Sequence, residues 1–243
     1  MGEVIHMIGV LVNTAAVVLG SLTGMLFAGK INKKYTDALI AALALVIGVI
    51  GIQSAVKTAD ILCVIVCLVV GVILGEAARI DDGIEGAGDW VKNRLLRGRT
   101  ADSRFTEAFV TTTILFCVGS MAVMGSIEAG VNGDNSILFA KSALDLITSV
   151  AFAAAMGTGV AFSAVSVLLF QGLIALLAAQ LGGFLTPAVV NEMSAVGGVI
   201  LVGMAVNMLG LRSERIRIAN MLPAIFLPIA YIPIYNWIAG LIG

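Results

Sequence analysis

The chain is short of almost everything a soluble enzyme relies on. Only 12% of its 243 residues are charged, about half the usual share. It has one histidine, three cysteines and four prolines. A soluble domain of this size needs a hydrated, charged shell, and 14 basic with 15 acidic residues cannot cover one. The formal net charge of −1 excludes a globally basic nucleic-acid binder, so nucleic acid is not an expected partner. No HExxH, GxSxG, phosphate-binding loop or zinc-spaced Cys/His cluster occurs. His6 stands alone near one end and cannot build a metal site. The expectation is therefore no enzyme, no cofactor and no resident metal.

The three cysteines, Cys63, Cys67 and Cys117, all sit inside apolar runs. An odd count in such runs gives no disulfide framework. Cys63 and Cys67 are four apart, share a helix face and read as small packing residues. The first residues carry no basic stretch and no small-residue cleavage site, so an uncleaved first helix is expected rather than a signal peptide.

What the chain has is apolar length. Hydrophobic residues make up 60%, and mean hydropathy is +1.08. A spanning helix needs about 20 mostly apolar residues. Eight such runs fall near 7–28, 37–56, 61–78, 108–127, 137–157, 159–181, 188–211 and 219–242. The fifth and sixth are separated at Met156-Gly157-Thr158-Gly159; a single buckled helix there would leave seven. Charge decides between the counts. Lys30, Lys33 and Lys34 fall in the first loop; Arg79, Lys92, Arg94, Arg97, Arg99 and Arg104 in the long third connection; Arg212, Arg215 and Arg217 before the last run. Eight spans put these twelve of the 14 basic residues on one side, and basic residues favour the cytoplasmic side. The sequence thus predicts an all-α bundle of the cytoplasmic membrane, a single domain over 1–243, with both termini outside. Its expected surroundings are the lipid bilayer, and a homo-oligomer is compatible with it. The one sizeable polar segment, 80–104, could place Ile84, Trp90, Val91 and Leu95 on one face of an interfacial helix.

Small residues mark packing. Ala16, Gly20, Gly24 and Ala28 recur every four residues in the first span, and Gly71 and Gly75 do so in the third, a spacing that lets backbones approach. Pro223, Pro228 and Pro233 predict a kinked or broken last span. NTAAVVLGSLTGMLF from Asn13 aligns with QGLIALLAAQLGGFL from Gln171, which suggests an inverted repeat of spans 1–3 and 6–8.

Ionisable groups inside a span are costly and tend to face a protein interior or a pathway. Lys141 and Asp145, in AKSALDLITS, are four apart and can pair. Their order, Lys before Asp, opposes the helix-dipole preference, so helix stability alone does not account for them. Asn13, Gln171 and Asn207 are further polar candidates within spans, each able to join helices by a hydrogen bond; Asn220 is a candidate nearer a span end, as are Glu107, Asn191 and Glu192, which need less explanation. Glu128 is a candidate neighbour of Lys141.

The runs FVTTTILFCVGSMAVMGSIEAGVNGD and LFAKSALDLITSVAFAAAMGTGVAFSAVSVLLFQG, the later NMLPA and the early GVLVNTAAVVLGSLTG resemble the YdfK/YqgA family of prokaryotic multi-pass membrane proteins. Val10 stands where that family more often has Thr. The resemblance covers essentially the whole chain. It implies a membrane location and brings no substrate, because the family is a domain of unknown function that is sometimes labelled a transport protein. The expected function is passage of a small solute or ion without ATP hydrolysis, with Asp145 as the charge that binds a cation or proton, Lys141 as its partner or gate, and Asn13 and Gln171 as polar wall groups. The alternatives are a scaffold whose polar residues only lock helices, and a membrane sensor.

Overall fold

The computed structural model describes residues 2–27, 33–83, 86, 105–178 and 184–242. The segment predicted as an interfacial helix around Trp90, the Ala28 end of the small-residue stripe and the His6 side chain lie outside the described residues. The described chain is helical: α1 (Gly2–Phe27), α2 (Lys33–Ala55), α3 (Ile61–Ala78), α4 (Phe105–Val118), α5 (Ser120–Asn132), α6 (Ser136–Met156), α7 (Gly159–Leu176), α8 (Pro187–Met208), a 3-10 segment (Ile218–Phe226) and α9 (Pro228–Ile242). Six of these helices are long and apolar enough to cross a membrane, and two bent pairs, α4 with α5 and the 3-10 segment with α9, pass the same test jointly. The outward faces are apolar, with Leu11, Leu19, Leu45, Ile73, Leu144 and Leu169 all exposed. A soluble protein would hide such a surface, whereas hydrocarbon accepts it.

Helix directions fix how each bent pair runs. Along α1, Gly9 meets Leu138, Gly20 meets Ser149 and Gly24 meets Ala153 on α6, so α1 and α6 are parallel. Gly159, at the start of α7, meets Phe105 and Ala108 on α4, while Gly130 on α5 meets Ala175 and Ala178 near the end of α7. The α4–α5 pair therefore runs beside α7 along its whole length, as one crossing bent by 57°. A re-entrant hairpin there would make α6 antiparallel to α1. Gly51 and Gly198 meet on antiparallel α2 and α8, and Gly71 and Gly75 meet Ala224 and Asn220 on antiparallel α3 and the 3-10 segment. These directions are those of eight alternating crossings, with α1 beginning and α9 ending at the same face of the bundle.

The local causes are legible. Gly157 adopts φ 84° and ψ −149° between α6 and α7, a conformation that residues with a Cβ avoid, so crossings five and six are separate. Pro223 lies inside the 3-10 segment, and the last crossing bends by 44° before Pro228. The small residues act as expected at two interfaces: a Cβ on Gly20 would stand 2.4 Å from the Leu146 carbonyl oxygen, and one on Gly75 would stand 1.8 Å from that of Asn220.

Candidate functional site

Lys141 and Asp145 lie on the buried face of α6, 5% and 6% exposed. Asp145 is about 14 Å along the helix from Ser136, counting about 1.5 Å per residue. That is mid-crossing. The Lys141 ammonium donates to the Asp145 carboxylate within the same helix, one turn apart. The ammonium also stands 5.6 Å from the centre of the Phe116 ring, over its face, a position in which the ring's electron density attracts a cation.

Three other crossings close around this pair. From α1, Asn13 is fully buried and its Nδ2 donates to Gln171 Oε1 of α7 at 3.2 Å; the same amide faces the Asp145 carboxylate. From the fourth crossing come Phe116 and Cys117, and both charges act electrostatically on the Cys117 thiol. Those two residues lie in the last turn of α4, which ends at Val118 just before the break at Gly119. The last carbonyls of a helix carry a partial negative charge, which suits the nearby ammonium. Two polar atoms of the cluster, Asn13 Oδ1 and Gln171 Nε2, have no protein partner, although both residues are wholly buried.

The remaining polar candidates are elsewhere. Asn207 brackets the backbone of Ile216, donating to its carbonyl at 2.8 Å and accepting from its N–H at 2.9 Å. Asn220 accepts from the Asp81 N–H at 2.7 Å. Both tie connections at the end of the bundle that carries the basic loops. Glu128 accepts from Asn132, its own helix neighbour, while Lys141 is taken by Asp145. The structure thus gathers Lys141, Asp145, Asn13 and Gln171 and separates Asn207, Asn220 and Glu128 from them.

One functional-looking carboxylate was not singled out by sequence. Glu192, on α8, is 3% exposed. It accepts from the Thr58 hydroxyl and, at 2.7 Å, from the Ala59 N–H, while its neighbour Asn191 holds the Lys57 carbonyl at 2.8 Å. Together they clamp the α2–α3 turn. Glu192 lies in the second turn of α8, close to a helix end in sequence, and only the tertiary fold brings the turn over it.

Comparison with known proteins places this architecture. Residues 8–232 match a family model described as a protein of unknown function (DUF554). The chain is 30% identical to the "Uncharacterized protein YqgA" of Escherichia coli (strain K12), over 90% of this chain and 94% of that protein. It is 27% identical to the "Uncharacterized membrane protein YdfK" of Bacillus subtilis (strain 168), over 91% of this chain and 94% of that one. No solved structure matches.

Proposed function

The chain belongs to the DUF554 family of proteins of unknown function, and from that premise we propose that it is a transporter of a small solute or ion. It works in the cytoplasmic membrane, without ATP hydrolysis and without catalysing a reaction. The observation that carries this reading is the Lys141–Asp145 pair, buried at mid-crossing beside the break between α4 and α5. Charges at that depth are expensive and mark pathways. Discontinuous helices bring backbone dipoles to the same depth in transporters. In this reading Asp145 takes the solute's charge, Lys141 occupies the carboxylate while the site is empty, and Asn13 and Gln171 form the polar wall. Both termini face outside, because the twelve basic residues then face the cytoplasm. An inverted repeat of crossings 1–3 and 6–8 belongs to the same reading. Its support is that the aligned residues Asn13 and Gln171 meet, and that crossings 2 and 7, and 3 and 8, pack antiparallel.

The test is a solute screen by thermal melting of the purified protein, since a ligand that binds only the folded state raises its stability. A hit that stabilises the natural chain and not a folded Asp145→Asn variant supports the reading. No hit, with Asp145→Asn melting far below the natural chain, contradicts it.

A scaffold is the second reading. The observation in its favour is the closeness of α1 and α6, where glycines bring the backbones together with no room for a guest at Gly20 and Gly24. Under it the charged pair only fixes helix register.

A further inference from the structure

We propose that the solute is a zwitterion bearing an apolar chain, the chemistry of an apolar amino acid; this assignment rests on the transport reading above. The site holds one positive and one negative group, paired with each other. A lone cation or anion entering it would leave a net charge at mid-membrane, where solvation is poorest. A zwitterion adds none. Its ammonium replaces Lys141 on the Asp145 carboxylate, and its carboxylate takes the Lys141 ammonium, so two opposite charges become four that alternate in sign. The pair joins two side chains of one helix, so it opens by rotamer changes without moving a helix.

The unused hydrogen-bonding groups have the matching character. Asn13 Oδ1 is an acceptor and Gln171 Nε2 is a donor, and both are buried without partners. An ammonium supplies three donors and a carboxylate supplies acceptors. Buried polar atoms left unpaired point to an absent partner.

Room for the apolar chain adjoins the charges. A groove of about 350 Å³ lies between α4, α7 and the 3-10 segment, open to the outer apolar face at Leu169, Leu173 and Phe226, with Cys117 and Ile225 deeper in its walls. Its walls are almost wholly apolar. Cys117 lines this groove, and the Phe116 ring beside it in sequence lies under the Lys141 ammonium at 5.6 Å. The solute's head would sit on one side of Cys117 and its chain on the other.

The experiment is melting of the purified, full-length protein with L-leucine, glycine, isopentylamine and isocaproate, the last two being leucine without its carboxylate and without its ammonium. Leucine is expected to raise the melting temperature by a few degrees, glycine by less, and neither half-molecule measurably. Leu169→Trp, at the exposed rim of the groove, should raise the leucine concentration needed at least tenfold. Leu144→Trp, on the exposed face of α6 away from the groove lining, should not. If isopentylamine or sodium chloride stabilises as well as leucine, the site accepts net charge and the assignment fails, while the transport reading stands. A shift by no member of the panel also overturns the assignment, and leaves the transport reading to the wider solute screen.

Discussion

Asn13 and Gln171 meet across the α1–α7 interface, amide to amide at 3.2 Å, and the Asn13 amide also faces Asp145. The charged pair on α6 is thereby connected to two further crossings. Hydrogen bonds between membrane helices contribute about 0.6 kcal/mol on average. Asn13→Leu and Gln171→Leu should therefore be coupled by roughly that amount in a double-mutant cycle of unfolding, with Asn13→Leu the more costly single change because it also bares Asp145. Additive losses would show that the contact contributes nothing.

Gly20 and Gly24 admit no side chain. A Cβ would meet the Leu146 and Val150 carbonyl oxygens at 2.4 and 2.3 Å, whereas a Cβ on Gly172 would meet nothing nearer than the Met7 terminus, at 3.4 Å. Overpacking of this kind costs about 1–3 kcal/mol. Gly20→Ala and Gly24→Ala should each lower the melting temperature well below that of Gly172→Ala. Equal melting of the three variants would mean that α1 does not lie on α6 as described.

Glu192 holds a turn on another pair of helices. Removing it leaves the Thr58 hydroxyl and the Ala59 N–H without their acceptor, and an unmet buried donor costs about 1–3 kcal/mol. Glu192→Ala should destabilise the protein by about that much and speed amide exchange at Ala59 specifically. Unchanged exchange there would remove Glu192 from the clamp.

Eight alternating crossings put the long third connection and the end of the chain on opposite sides. Reporter fusions after Arg97 and at Gly243 should report opposite compartments, with Arg97 cytoplasmic. The same compartment for both would break the alternation.

The apolar runs, the turn at Gly157, the bend before Pro228 and the Lys141–Asp145 pairing were all legible in the sequence, because each follows from local chemistry: hydropathy over a span, a glycine in a positive-φ turn, proline's missing donor, and the four-residue helix repeat. The break at Gly119 was not. Gly119-Ser120 sits in one unbroken apolar run, and hydropathy does not register a bend. Asn13 and Gln171 were legible as a matched pair but not as partners, since contact across the bundle depends on how α1 and α7 dock. Asn207 reads like Asn13 in sequence. An amide in an apolar run looks the same whether it faces a charged pair or brackets a loop backbone.

Whether Asp145 serves a pathway rather than only a helix contact is decided by melting of Asp145→Asn, Lys141→Met and the double variant, each with and without the ligand found by the screen. If the pair were only structural, each single change would strand one buried group, at a cost of about 3–5 kcal/mol for a remaining charge, and the double change would recover most of it. As a pathway carboxylate, Asp145 should instead be replaceable by Asn with melting close to that of the natural chain and with loss of all response to ligand. Large losses in both single variants, recovered in the double variant with the ligand response intact, would contradict it.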